Sequence, residues 1–197
     1  MKIYDISQEV FSCKVYPGDR VPSKEEVFRM DKGDLYNLTN FSMCAHNGTH
    51  VDAPYHFLKD GKTIEELDLS KMVGYAYVIH HQGELLAEDA YRILEKAKSV
   101  IVESYKRILV KGEAVITLEA AKVFAEANID LIGVESQSVG PEDSPMEVHK
   151  VLLEKEVVLL EGIVLKNIEE GVYLLNAAPL SLAGMDGSPC RAILIEL

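Results

Sequence analysis

Short apolar runs rich in Val, Ile, Leu and Tyr recur along the chain and alternate with more polar stretches. Runs of four to eight such residues between turn-forming residues are typical of β-strands. The predicted strands outnumber the predicted helices. They lie near residues 2–6, 40–45, 75–80, 107–111, 130–134, 156–161, 172–176 and 191–196.

Three stretches have the pattern of an α-helix. The clearest runs over 117–128, where the hydroxyl of Thr117 can cap an Ala-rich segment. A second lies around 88–98. A third begins at Ser144-Pro145, because a capping hydroxyl precedes a proline that fits the first helical position, and it carries His149. Strands alternating with helices indicate an α/β protein.

Nothing in the sequence divides the chain, since it has no internal repeat, no low-complexity tract and no Gly/Ser linker. The stretch 140–145, GPEDSP, is predicted to be a loop within the fold. The 197 residues, 48% hydrophobic and 26% charged, fit one soluble globular unit. We therefore expect a single domain over 1–197.

The charge balance excludes several classes of partner. A net charge of -12 argues against nucleic acid, because binding polyphosphate draws on clustered Lys and Arg. No apolar run approaches the ~20 residues of a membrane span, and Asp5 interrupts any signal-like start. We expect a cytoplasmic protein with no membrane partner. Cys13, Cys44 and Cys190 resemble neither a disulfide framework nor a paired-cysteine zinc site, and are expected to be reduced.

Candidate metal ligands are concentrated in the segment HNGTHVDAPYH at 46–56. Half of the six histidines, His46, His50 and His56, lie there together with Asp52. Imidazole and carboxylate are the ligands that zinc and manganese use in proteins. Such a density favours a metal site over a polar loop whose histidines are exposed by coincidence.

A helix through this segment is disfavoured by the Asn-Gly pair at 47–48 and by Pro54. A tight turn at 47–48 would instead bring the first histidine back beside the second. If the backbone is then extended, His50, Asp52 and His56 share parity and can face one side. All four side chains could then converge.

A second group of ligands is suggested by Glu161, which ends the apolar run VVLLE. An unpaired buried carboxylate costs several kcal/mol, so it needs a cation, a donor network or a proton. A helix followed by a strand can return the chain so that His149 lies beside it. Taken alone the pair is weak, because a lone histidine on a helix is more often structural.

These residues together resemble the cyclase family of metal-dependent hydrolases, which includes bacterial kynurenine formamidases and isatin hydrolases. Residues 46–56 match the family pattern HxGTHxDxPxH at every specified position. The segments IYDIS at 3–7, YPGD at 16–19 and GMDGSPCRAIL at 184–194 are similar to further family landmarks, in family order. The resemblance covers nearly the whole chain.

The resemblance implies an α/β fold of the swivelling β/β/α type, a mixed sheet with packed helices, assembled as a homodimer or higher homo-oligomer. It implies two Zn²⁺ per chain, with Mn²⁺ as an alternative. The roles carried over give His46, His50 and Asp52 to one metal, Asp52 with His149 and Glu161 to the second, and the acid/base to His56.

The implied activity is hydrolysis of an amide C–N bond by a metal-activated water, on an aryl formamide as in the kynurenine branch of tryptophan catabolism. Tyr16 departs from the family pattern, because bacterial kynurenine formamidases carry Trp there. Its side chain is a pocket wall or a surface turn residue. Hydrolysis of an isatin-type lactam or an ester therefore stays open.

Two further interpretations come from other classes. One is a non-catalytic metal-binding protein on the same fold, and the other is a cysteine hydrolase using Cys44 with His46. The first is disfavoured because His56 is present beyond the five predicted ligands. His80 and His81 are adjacent on a strand and receive no role. Asp186 and Arg191, a candidate turn and ion pair, are left out of the catalytic set.

Overall fold

The centre of the molecule is a mixed β-sheet, seen in a computed structural model that describes residues 1–141 and 143–197. The strands are β1 Ile3–Asp5, β2 Ser23–Phe28, β3 Leu38–Ser42, β4 His50–Asp52, β5 Val73–His80, β6 Gly83–Leu85, β7 Arg107–Lys111, β8 Ala114–Ile116, β9 Leu131–Val134, β10 Val158–Glu161, β11 Gly171–Asn176, β12 Gly187–Pro189 and β13 Ile193–Ile195. The α-helices are α1 Ala87–Val100, α2 Leu118–Glu126 and α3 Met146–Leu153.

The main sheet has nine strands in the order β1-β13-β11-β5-β7-β9-β10-β4-β12. Its middle four strands, β5, β7, β9 and β10, are parallel. They are joined through α1, α2 and α3, as parallel pairing needs a crossover. The outer pairings are antiparallel. This is the mixed α/β architecture that the sequence predicted.

Both faces of the sheet are buried. Along β7, Ile108 and Val110 lie in the core shared with the helices, whereas Leu109 lies in a second core on the opposite face. Alternate residues of a strand point to opposite faces, so a strand covered on both sides is apolar throughout. The short continuous apolar runs in the sequence are these central strands.

The predicted helices are confirmed, with one correction at an N-terminus. The Thr117 hydroxyl accepts a hydrogen bond from the Ala120 N–H at 3.3 Å and caps α2. At α3 the N-terminal cap is Pro145, whereas the Ser144 hydroxyl donates to Asp143 at 3.2 Å and caps nothing. The predicted loop at 140–145 contains bends and a turn; its residue Glu142 lies outside the described part of the chain.

A two-stranded hairpin of β2 and β3 stands apart from the main sheet. Every residue of both strands is exposed, so neither face of the hairpin is covered by the described chain. Another small sheet pairs β6 with β8 in parallel. Among the described residues no helix has the length and apolar character needed to cross a membrane.

Candidate metal centre

The site is built around β4, which lies between β10 and β12 in the sheet. The antiparallel register places His50 directly opposite Glu161. Residues opposite each other on paired strands project to the same side, so both ligands face one region. The turn before β4 has Gly48 at a φ of +64°, a left-handed conformation that glycine adopts without strain. The chain therefore bends at 47–48, directly after a turn in which the Asn47 N–H donates to the Cys44 carbonyl at 3.2 Å.

One oxygen of the fully buried Asp52 faces two histidines. Its Oδ1 lies 2.8 Å from His46 Nδ1 and 3.3 Å from His50 Nε2. These three side chains form a group whose ligand atoms lie within 4.8 Å of one another. The first predicted ligand set is thus brought together.

The other oxygen of Asp52 faces a second group. His149 Nε2 lies 3.8 Å from Asp52 Oδ2 and 3.2 Å from Glu161 Oε1. The ligand atoms of Asp52, His149 and Glu161 also lie within 4.8 Å of one another, and all three residues are buried. Asp52 therefore belongs to both candidate ligand groups.

Backbone contacts fix the orientation of the buried ligands. The Nδ1–H groups of His50 and His149 donate to the carbonyls of Gly48 at 3.0 Å and Pro145 at 2.8 Å. The Val139 N–H donates to Glu161 Oε1 at 2.8 Å. Each histidine therefore directs Nε2 toward the carboxylates, as in metal sites whose ligands are held by an outer layer of hydrogen bonds.

Two buried polar atoms in the cluster indicate a metal site because they lack a hydrogen bond. Neither His50 Nε2 nor Asp52 Oδ2 makes a hydrogen bond within the described chain, although both are shielded from solvent. Leaving such atoms unpaired costs free energy, so buried polar atoms nearly always have a partner. The mixed nitrogen and oxygen donor set suits zinc or manganese. The residues present therefore fit a divalent cation.

The electrostatics of the cluster follow from two buried carboxylates among imidazoles. Burial alone would lower the pKa of His46, but Asp186 and Asp52 raise it to about 11. Burial likewise opposes the charge of His50, whose pKa Asp52 and Glu161 raise to about 9. In return the two histidines hold the pKa of Asp52 well below its usual range, against the effect of burial. The site is strongly attractive to positive charge.

His56 lies at the solvent side of the cluster, with 27% of its side chain exposed. It reaches this position from a 3-10 turn over Pro54–His56, so the expectation of an extended backbone holds only for β4. Proline at the start of that turn fixes φ and favours the turn over extension of the strand. Burial lowers the pKa of His56, which leaves the ring neutral near neutral pH.

Asp186 is a member of the cluster that the sequence reasoning left out. Its Oδ2 accepts a hydrogen bond from His46 Nε2 at 2.9 Å and lies 3.4 Å from His56 Nδ1. The bond to His46 lowers the pKa of Asp186 to about 2. Its position just before β12, the strand beside β4, brings it here, and the GMDG segment was the only signal in the sequence.

A cavity of about 250 Å³ opens over the cluster. Tyr16 and Phe57 supply aromatic surface to it. Tyr16 is thus part of the pocket wall, and its carbonyl also accepts a hydrogen bond from the Asp19 N–H at 3.0 Å, which closes a turn. Asp19, Gln137 and Ser138 also line the cavity. It has room for a small aromatic molecule beside the histidines.

Other candidate residues lie elsewhere. His81 bonds the Glu84 carbonyl at 3.0 Å, and neither it nor the exposed His80 enters a metal-binding group among the described residues. Arg191 pairs with Asp5 at 2.7 Å rather than with Asp186. The three cysteines are free, as expected.

Comparison with known proteins agrees with this geometry. The Cyclase family model matches residues 4–141. A kynurenine formamidase of Erythrobacter litoralis is 34% identical over 205 residues, covering 100% of this chain and 94% of the relative. The kynurenine formamidase of Bacillus anthracis is 33% identical, covering 98% of this chain and 97% of the relative.

Solved structures show the same fold. Isatin hydrolase A from Labrenzia aggregata superposes with a TM-score of 0.81 at 22% identity, covering 98% of this chain and 93% of that chain. A protein of Bacillus stearothermophilus described as a predicted metal-dependent hydrolase has a TM-score of 0.81 at 24% identity, covering 98% and 97%. Fold and site thus define a hydrolase-type metal centre on a mixed α/β sheet. The chain belongs to the cyclase family of metal-dependent hydrolases, as its sequence pattern indicated.

Proposed function

We propose that this protein is a metal-dependent amidohydrolase that cleaves the C–N bond of an aryl formamide. The observation that carries the proposal is the pair of ligand groups sharing the buried Asp52 beneath an aromatic-walled cavity. The full-length similarity to kynurenine formamidases supports the formamide as substrate. The whole chain, 1–197, is proposed to act as one catalytic domain, and its cytoplasmic location stays a prediction.

Five residues are proposed to hold two Zn²⁺ ions, or Mn²⁺ in their place. His46, His50 and Asp52 would bind one, and Asp52 would share the other with His149 and Glu161. When bound, such cations act as Lewis acids for an amide carbonyl and lower the pKa of water. The negative charge of the buried carboxylates would balance the positive charge of the ions.

His56 is proposed as the acid/base. It lies at the mouth of the cluster, and the pKa lowered by burial leaves its ring free to accept a proton from the attacking water. Water adds to the carbonyl carbon, the C–N bond breaks, and His56 returns the proton to the departing nitrogen. The products are formate and an aryl amine. Asp186, 3.4 Å from His56 Nδ1, would orient the ring for this transfer.

The cavity suggests the shape of the substrate. Tyr16 and Phe57 offer flat apolar surface on which an aryl ring can pack, with the scissile group directed at the histidines. A lactam fused to an aromatic ring would use the same surface. Hydrolysis of an isatin-type lactam or an ester is therefore the second candidate, supported by the structural similarity to isatin hydrolase A.

The test is an assay of chelator-stripped protein before and after addition of Zn²⁺ or Mn²⁺. Aryl formamides, isatin-like lactams and simple esters are offered in parallel. We expect hydrolysis to disappear on stripping and to return with either metal, fastest on the aryl formamide. Activity persisting in rigorously metal-free protein would refute the mechanism. Tight metal binding without turnover of any compound would instead favour the non-catalytic metal-binding protein.

We also propose that the protein is a homodimer formed through the hairpin of β2 and β3. Its exposed large apolar side chains are Val27, Phe28, Met30, Leu35, Tyr36, Leu38 and Phe41. A two-stranded hairpin is at best marginally stable alone in water, and contiguous apolar surface of this kind marks an interface. A second copy offers a groove of about 680 Å³ as a place for such side chains. Phe41, Met43 and Leu180 form apolar parts of its wall, and Asp5, Glu9 and Arg191 also line it.

A further inference from the structure

One wall of the metal-site cavity carries a polar pair that the proposed mechanism does not use. The side-chain amide of Gln137, at both Nε2 and Oε1, and the Oγ of Ser138 are shielded from solvent and have no hydrogen-bond partner within the described chain. Ser138 is only 5% exposed. Each unpaired buried group of this kind costs about 1–3 kcal/mol. These atoms therefore have hydrogen-bonding capacity that the described chain does not use.

The pair is held rigidly beside the proposed ligands. The Ser136 carbonyl accepts a hydrogen bond from the Gly162 N–H at 2.8 Å, and the Val139 N–H donates to Glu161 at 2.8 Å. The loop after β9 is thus fastened at two points to the end of β10. Gln137 and Ser138 lie between those points, so their backbone is held on both sides.

The Gln137 amide lies close to the first ligand group as well. A Cβ built on Gly162 would approach both Gln137 Nε2 and the Gly48 carbonyl at 2.3 Å. That carbonyl is the group that orients His50. The unpartnered amide is therefore a near neighbour of both strands that carry the ligands.

We propose that Gln137 and Ser138 bind a hydrogen-bonding substituent on the substrate ring, a carbonyl or an amine next to the amide that is cleaved. This inference rests on the proposed hydrolysis of aryl amides. Apolar ring contacts with Tyr16 and Phe57 accept many aromatic molecules, whereas a site with unsatisfied buried polar groups discriminates against a ligand that lacks the matching group. The pair would set specificity, and the histidine cluster would carry the reaction.

The experiment measures binding of two aryl amines to zinc-loaded protein by calorimetry. 2-Aminoacetophenone carries a carbonyl beside the nitrogen, and aniline does not. Gln137→Met keeps the length of the side chain and removes its amide. Gln82→Met makes the same change at an exposed glutamine that does not line the metal-site cavity, and it is the matched control. Gln82 borders a neighbouring cavity that Gln137 and Ser138 also line, so this control separates the two cavities. Zinc content is measured for every variant.

We expect Gln137→Met to weaken the binding of 2-aminoacetophenone about tenfold and the binding of aniline less than twofold, as the loss of one or two hydrogen bonds predicts. Ser138→Ala should weaken the binding of 2-aminoacetophenone by a few-fold, and Gln82→Met should leave the affinity for both compounds unchanged. KM for the corresponding formamides should show the same difference, with kcat nearly constant. A purely structural role would change both compounds alike and would lower the melting temperature.

Equal affinities of wild type and Gln137→Met for 2-aminoacetophenone would overturn the inference, because the pair would then be satisfied by water. Failure of wild type to bind the compound would overturn it too. If no formamide is hydrolysed but the difference in binding is seen, the proposed reaction is wrong and the specificity pair stands. If formamides are hydrolysed but the difference in binding is absent, the reaction stands and the specificity pair is wrong.

Discussion

At the residue scale, the cluster combines groups that a folded chain ordinarily keeps apart. Asp52 and Glu161 are both buried among the histidines of the cluster. Protonated histidines and bound cations are two ways to offset such charge. The raised pKa values of His46 and His50 describe the first, and the unpartnered Asp52 Oδ2 points to the second.

The roles within the cluster can be separated by substitution. We expect His56→Ala to lower kcat by about 10²- to 10⁴-fold, the range for loss of a general acid/base, with metal content unchanged. Asp52→Asn and Glu161→Gln should lower both activity and bound metal, because each removes a charge that would face a cation. Turnover is measured together with metal per chain by elemental analysis.

The choice of residues makes this comparison decisive. Each variant changes one side chain of the same cluster, so a general loss of folding would lower the metal content of all of them. Equal metal loss for His56→Ala, Asp52→Asn and Glu161→Gln would contradict the separate role of His56. Circular dichroism of each variant serves as the folding control.

At the element scale, the site depends on how closely the end of β10 approaches the turn before β4. Gly162 has a φ of +68°, and a Cβ there would lie 2.3 Å from the Gly48 carbonyl. The Thr49 hydroxyl donates to the Gly162 carbonyl at 2.7 Å and closes the contact. The ligand-bearing segments are therefore joined through backbone, with no room for a side chain between them.

We expect Gly162→Ala to destabilise the fold by about 2–4 kcal/mol, the sum of a strained φ and an overpacked contact. Metal affinity should fall as well, because Glu161 must shift with its neighbour. Gly184→Ala is the matched control, since Gly184 has a φ of +75° with nothing within 4 Å of a built Cβ. It should cost about 1 kcal/mol and leave metal binding intact.

Urea denaturation and a metal titration measure the two effects. If Gly162→Ala and Gly184→Ala prove equally destabilising, the close approach to Gly48 contributes nothing. If Gly162→Ala loses stability but binds metal normally, the position of Glu161 does not depend on this contact.

The sequence predicted the buried central strands, together with the short strands β1 and β13, and missed β2, β6, β8 and β12. β5, β7, β9, β10 and β11 are buried strands whose apolar runs stand out from their surroundings, and α2 has an obvious cap. β6 and β12 have three residues each and little apolar character, and β8, although apolar, is a three-residue segment too short to stand out. Their pairing is decided by tertiary contacts that no local pattern records.

In the candidate site, too, local sequence patterns revealed some residues and missed others. The ligands of 46–56 could be found because they lie together in sequence, and Glu161 because a carboxylate interrupts an apolar strand. Asp186 lies 140 positions from His46, and only the pairing of β12 with β4 brings it close. The extended backbone expected between His50 and His56 ends with β4, because a 3-10 turn over Pro54–His56 follows it.

At the scale of the whole molecule, the hairpin of β2 and β3 is the part whose stability the single chain explains least. Leu35 is 92% exposed and Phe41 61% exposed, and both strands lack a covered face. The main sheet, in contrast, is covered on both faces. A partner surface supplied by a second copy would complete the burial that the hairpin lacks.

The dimer can be tested by placing a charge on this surface. We expect wild type to behave as a dimer in light scattering coupled to gel filtration, and Phe41→Glu or Leu35→Glu to shift it toward monomer, because burying an unpaired carboxylate opposes association. Val102→Glu, at a residue 65% exposed outside the hairpin, introduces the same charge and should leave the dimer intact. Wild type eluting as a monomer at micromolar concentration would refute the interface, as would hairpin variants that remain dimeric.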